Sequence, residues 1–196
     1  VPHNLPLAVI GATMLWLGWF GFNGGSAVAA NGVAGNALLT SQIGAATCTL
    51  VWLFLSWKRS GKPSIAAVIN GAIAGLAGIT PTAGYISGDS AFVLGIILGF
   101  GSYYGIVLLK EKLRIDDALD VGSVHGITGI LGALAIGVAA TPLIYPDGPE
   151  GWLYNGSPAQ LGIQAFGVAV AAAFAFVVSV AIFKIIDKTI GLKASD

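Results

Sequence analysis

Charge is what this sequence has least of. Lys, Arg, Asp and Glu make up 9% of its 196 residues, against roughly 25% in an average soluble domain. A water-soluble globule cannot cover its core with so few charged side chains. There is one cysteine, so no internal pair and no disulfide scaffold is possible. The nine basic and nine acidic residues cancel, which leaves no electrostatic case for nucleic acid. G-x-S-x-G, H-E-x-x-H and Walker A patterns are all missing, as is a Cys–His pair. No enzyme, no metal site and no cofactor are therefore expected. What is abundant is apolar: 56% of the residues are hydrophobic. Glycine contributes 29 residues, about twice its usual share, but without the three-residue period of collagen. This composition is that of an integral membrane protein.

Residues 1 to 57 carry no charge, and further uncharged runs cover 64–88, 90–109, 121–146 and 151–183. A spanning helix needs about 20 mostly apolar residues. The first run holds two spans, joined at FNGGSAVAANG, Phe22 to Gly32, a turn rich in Gly, Asn and Ser. Six helices follow, at about 4–24, 32–57, 64–84, 89–110, 117–140 and 158–186. The expected fold is an all-α membrane protein of six transmembrane helices, a single domain over 1–196. Lys58, Arg59 and Lys62 follow the second span, Lys110, Lys112 and Arg114 the fourth, and Lys184, Lys188 and Lys193 end the sixth. The other loops have no basic residue. By the positive-inside rule both termini and the basic loops face the cytoplasm. The longest exterior loop, Thr141 to Pro158, carries Trp152 and Tyr154 as interfacial anchors. No positively charged leader precedes the first span. Its abrupt start at Val1 reads as a chain that begins partway through something.

Glycines four apart let membrane helices approach closely. Such pairs are Gly21/Gly25, Gly71/Gly75, Gly95/Gly99, Gly101/Gly105 and Gly122/Gly126, so tight packing is expected. Polar groups inside hydrocarbon each need a reason. His125 lies about 13 Å into the fifth span, near the midplane, with Gly122, Gly126 and Gly129 leaving room around its ring. It is either satisfied by a neighbouring helix or part of a pathway, and alone it offers too few ligands for a metal. Asp117 and Asp120 open the same helix and suit its positive dipole end. His3 lies in PHNLP, which suits a helix start. Asn70 reads as a hydrogen-bonding group between helices, and Cys48 as packing. Trp19 and Phe22 share a helix face at the exterior end, with Ser26 one turn later. They are either belt anchors or a cation site, since aromatic faces attract small cations and a hydroxyl accepts a hydrogen bond.

Three long stretches, PHNLPLAVIGATMLWLGWFGFNGGSA, GKPSIAAVINGAIAGLAGITPTAGYI and LRIDDALDVGSVHGITGILGAL, resemble the back half of the ammonium transporter (Amt/Mep/Rh) family. The bacterial and archaeal Amt branch looks more similar than the animal Rh branch. The resemblance implies spans six to eleven of eleven: the second of two inverted repeats plus the last helix of a cell-membrane protein. It implies a homotrimer with one pore per subunit, and no cofactor. Residue by residue, Trp19 and Ser26 match the exterior ammonium recruitment site, and Phe22 matches one of two stacked gate phenylalanines. Leu15, Ile73 and Val121 match the apolar pore lining, and His125 one of the twin pore histidines. Asp117 and Asp120 match the family's structural acids. Loops 58–63 and 110–116, with the tail after Asp187, match the cytoplasmic surface on which PII signalling proteins dock. The implied function is ammonium or ammonia transport. The alternatives are the ammonium-sensing part of a signalling protein, or a non-conducting fragment that needs its front half. An aquaporin is excluded, because neither of its two NPA boxes occurs.

Overall fold

The computed structural model describes residues 3–192. Among the described residues every regular element is helical. Helix α1 (Leu5–Gly25) starts behind Asn4, whose side-chain oxygen accepts from the Leu7 amide at 3.0 Å. Pro6 sits in the first turn, where its missing N–H costs nothing. Helix α2 (Gly32–Ser60) is capped in the same way by Asn31. It stops at Gly61, φ 76, a left-handed conformation that glycine adopts without a Cβ clash. Helix α3 (Ile65–Ile79) follows the cap Ser64 and tightens into a 3-10 turn, Thr80–Thr82. Helix α4 (Gly88–Ile106) follows Ser87 and widens into a π-helical stretch, Val107–Lys112. A second π stretch, Gly122–Ile127, leads into α5 (Thr128–Ala139). The short α6 (Trp152–Asn155) interrupts the long loop, and α7 (Ala159–Thr189) closes the chain.

Six of these stretches are long and apolar enough to cross a membrane: Leu5–Gly25, Gly32–Ser60, Ile65–Thr82, Gly88–Lys112, Gly122–Ala139 and Ala159–Thr189. The fifth differs from expectation at its start. Instead of beginning at 117, the helix begins after Asp120, because Asp117 to Asp120 form a turn in which Asp120 takes φ 59. Lys193 lies outside the described residues.

The core is built by α2, α3 and α4. Cys48, Trp52, Ala74, Ile79, Leu94 and Leu98 are buried in one cluster. Glycines bring these backbones together. A Cβ on Gly75 would stand 2.6 Å from Ala45 Cα, and one on Gly95 2.8 Å from the Gly44 carbonyl oxygen. Gly71 and Gly99 are as closely met, by Trp52 and Val51. The Gly21 and Gly25 pair, in contrast, meets nothing within 4 Å. Trp52 is the largest group of this core, and its indole donates to the Ser102 hydroxyl at 2.7 Å, which satisfies the one polar atom it would otherwise bury. At the basic end, Arg59 and Glu111 pair at 2.8 Å. The pair is exposed and contributes about 0–1 kcal/mol. It does show that the loops after the second and fourth spans lie at the same end of the bundle.

The outer elements are different. Only Asn23 and Gly24 of α1 are buried, and no residue of α7 is. Almost the whole of α1 stands open on one side, with Leu15 and Phe22 exposed.

Candidate functional site

Ser26, Leu15, Trp19, Phe22, Ile73, Val121, Asp120 and His125 line three hollows between them. Ser26 is at the end of α1, where its hydroxyl donates to the Phe22 carbonyl at 2.7 Å. With its proton so engaged, the hydroxyl offers only acceptor lone pairs to a visitor. Ser26 lines a hollow of about 340 Å3 with Asn23, Asn31, Tyr85 and Tyr145. Asn23 is nearly buried and donates to Ser41 at 2.8 Å.

One turn back, Phe22 shares an open apolar hollow of about 420 Å3 with Leu15 and Trp19. Trp19 and Ser26 thus line different hollows. The indole is turned toward the middle of the bundle, because its N–H donates to Thr80 Oγ1 at 2.7 Å. Thr80 in turn donates to the Leu76 carbonyl, so the 3-10 turn after α3 fixes the ring. It lies beside the imidazole of His125, with ring centroids 6.4 Å apart and 33° between planes. The ring thus lies next to the histidine and not in the hollow that Ser26 lines. Thr80 escaped the sequence reading, because a threonine before proline reads only as a turn.

His125 stands in the second π stretch. Such widened turns are rare and concentrate at functional sites. The residue is exposed, as Leu15 and Phe22 are, and Gly126 and Gly129 have nothing within 4 Å of their Cβ positions. Beyond it a third hollow, about 580 Å3, is lined by His125, Ile73, Val121, Val124, Asn70, Lys110 and Asp120. Apart from His125, Asn70, Lys110 and Asp120, its lining is apolar.

The two acids do different jobs. Asp117 Oδ1 accepts from the Val121 amide at 2.9 Å and Oδ2 from the Gly122 amide at 2.6 Å. The next two amides, Ser123 and Val124, donate to the carbonyl of Asp120. With the Asp120 amide donating to the Asp117 carbonyl, all four free amides at the start of this helix, Asp120 to Ser123, are satisfied. Asp117→Ala removes two of those bonds and should destabilise the protein by about 0.5–2 kcal/mol. Hydrogen exchange at Val121 and Gly122 should speed up with it, while the amides of α2 stay protected. Asp120 is not a cap. Its carboxylate accepts from Asn70 Nδ2 at 3.0 Å and pairs with Lys110 Nζ at 2.8 Å.

The sequence profile of the Ammonium Transporter Family matches residues 1–196. The chain belongs to the ammonium transporter family. Ammonium transporter 1 of Dictyostelium discoideum is 53% identical over 195 residues, which is 100% of this chain and 42% of that protein. Ammonium transporter Amt1 of Archaeoglobus fulgidus is 43% identical, over 99% of this chain and 48% of its own length. The crystal structure of Saccharomyces cerevisiae Mep2 superposes with a TM-score of 0.90 at 34% identity, covering 96% of this chain and 44% of that one. A solved Sensor Amt Protein superposes at 0.87 and 31% identity, over 98% and 46%. This ammonium transporter family chain thus spans about half the length of the curated relatives it matches. It is a multi-pass membrane protein with the fold of the back half of those transporters.

Proposed function

We infer that this chain forms one wall of a path that carries ammonium nitrogen across the cell membrane. The observation that carries the reading is the open face itself. Leu15 and Phe22 are exposed around the hollow that Trp19 lines, and His125, exposed as well, lies beside the same indole, in a chain about half as long as its transporter relatives. A second half laid on that side would turn three open hollows into one enclosed route.

On this reading Ser26 recruits ammonium through its free lone pairs. Phe22 is the gate below it, and Trp19 stands at the next station, beside His125. Leu15, Ile73 and Val121 keep the path dry. Dryness gives selectivity: desolvating an ion there costs several kcal/mol. Ammonium can leave a proton behind and potassium cannot. Neutral ammonia crosses, and His125, with one donor and one acceptor nitrogen, hydrogen-bonds it or relays the proton. Asp117 and Asp120 support the histidine's turn. The basic end faces the cytoplasm, three copies assemble, and loops 58–63 and 110–116 offer the surface for a PII protein.

The test is uptake of labelled methylammonium by vesicles. They hold this chain alone or this chain joined behind the front half of the Archaeoglobus fulgidus relative. Uptake is expected from the joined protein and not from the chain alone. Uptake by the chain alone would overturn the half-path reading. The likeness to a sensor protein supports a second reading. No uptake in either form, with ammonium still raising the melting temperature, would favour it.

A further inference from the structure

Asp120 is held from two directions by residues that the path does not otherwise use. Lys110, on the π stretch after α4, pairs with Oδ1 at 2.8 Å. Asn70, on α3, donates to Oδ2 at 3.0 Å. Asp120 itself takes a left-handed φ of 59, and its carbonyl receives the amides of Ser123 and Val124. Where its carboxylate is held therefore decides where the next turn starts, and His125 belongs to that turn. The turn is a π turn, a geometry that persists only where its surroundings over-determine it. Ser123 supplies a further tie to α4, donating to the Ser102 carbonyl. Lys110, Asn70, Asp120 and His125 all line the same hollow.

The other ion pair of the described residues provides a contrast. Arg59 and Glu111 are also 2.8 Å apart, but their side chains are 56% and 53% exposed. Those of Lys110 and Asp120 are 38% and 18% exposed. Only the second pair touches the element that carries the histidine.

We propose that Lys110 is a positioning residue for His125: by holding Asp120 against Asn70 it sets the start of the π turn and the direction in which the imidazole meets the path. The functional side of this inference rests on the transport reading above; the structural side does not. A lysine in a basic loop would otherwise be a solvated charge on the inner face.

The experiment reads the imidazole directly. The chain contains two histidines, so in detergent the ring nitrogen spectrum of a 15N-histidine sample shows two sets of signals. A His3→Gln variant identifies those of His125. Lys110→Met is expected to shift the His125 signals and to speed amide exchange from Ser123 to Ile127. Lys110→Arg restores both, and Arg59→Met changes neither. Asn70→Leu, which keeps the ion pair, is expected to shift the same signals by less, and serves if Lys110→Met does not fold. In the joined protein, Lys110→Met is expected to lower the maximal uptake rate about tenfold, as misplaced groups do. The half-saturating concentration should stay within about twofold, because capture takes place at the Ser26 end. The proposal is overturned if Lys110→Met behaves like Arg59→Met, or if Lys110→Met and Asn70→Leu both leave the His125 signals where they were. If the joined parent takes up no methylammonium while the imidazole still follows Lys110, the transport reading fails and the positioning role stands.

Discussion

In the joined protein, His125→Ala lowers methylammonium uptake by about a hundredfold, the scale on which a positioned proton acceptor contributes. The expectation follows from what surrounds the ring. Ile73, Val121 and Val124 line the same hollow as the ring, and Trp19 lies beside it. The indole N–H is already committed to Thr80. Alanine therefore removes the one unpaired proton acceptor of this hollow, since Lys110 and Asp120, which also line it, are tied to each other, and a charged ammonium entering it would be desolvated at high cost. His125→Gln keeps a donor and an acceptor but cannot take up a proton, so its uptake should fall between the two. The half-saturating concentration should hardly change, since Ser26 lies about two helical turns along α1 from Trp19, the residue beside the histidine. Initial rates in vesicles of matched protein content check this. Uptake within about twofold of the parent in His125→Ala would remove the histidine from the path.

Gly132→Ala is expected to be the most damaging single methyl group. A Cβ at that position runs into the carbonyl oxygen of Gly78 and lies 3.2 Å from Pro81 Cδ. The obstacle is backbone, which cannot swing aside. Gly78 cannot retreat either, because the space on its own far side is filled by the side chain of Leu98. Helix α5 must therefore lift off α3 and carry the histidine's turn with it. The cost is about 3 kcal/mol, the upper part of the range for overpacking, and Gly132→Leu should yield no folded protein. Gly167→Ala on α7, where nothing lies within 4 Å, should instead gain about 0.5–1 kcal/mol of helix propensity. Thermal unfolding in detergent distinguishes them, because the two melting temperatures should move in opposite directions. Equal shifts would mean that the α3–α5 contact does not limit stability.

The six spans could be read from the spacing of charges because hydrocarbon excludes charge wherever it falls in the chain, so uncharged runs and helices coincide. Within a helix the rule loses its force. His125 was visible as a polar group in an apolar run, but its π turn was not, since GSVHGI carries no composition that separates a π turn from an α turn. DDALD looks helical by content, which predicts the start of the fifth span four residues too early. The left-handed Asp120 depends on partners 10 and 50 residues away, Lys110 and Asn70, which no local pattern links to it. Helical spacing and the family resemblance both group Trp19 with Ser26. Its ring is aimed instead by Thr80, 61 residues later. Side-chain direction was thus decided by tertiary partners, and helix placement by solvent.

Helix α7 has 31 residues, a length of about 46 Å. Its uncharged part, 159–183, measures about 38 Å against a hydrocarbon layer of about 30 Å. To submerge that part the helix must lean by about 37°, near the upper limit seen for membrane helices. It is anchored near its beginning, where Leu161 lies against Gly137 of α5, and none of its residues is buried further along. Membrane thickness and α7 inclination are therefore coupled. In a thicker bilayer the helix stands straighter, and a change from 37° to about 20° would sweep the end bearing Lys184 and Lys188 sideways by roughly 10 Å. The periphery of this bundle works as a gauge of the lipid around it, while the α2–α3–α4 core, locked by glycine contacts, has no comparable freedom.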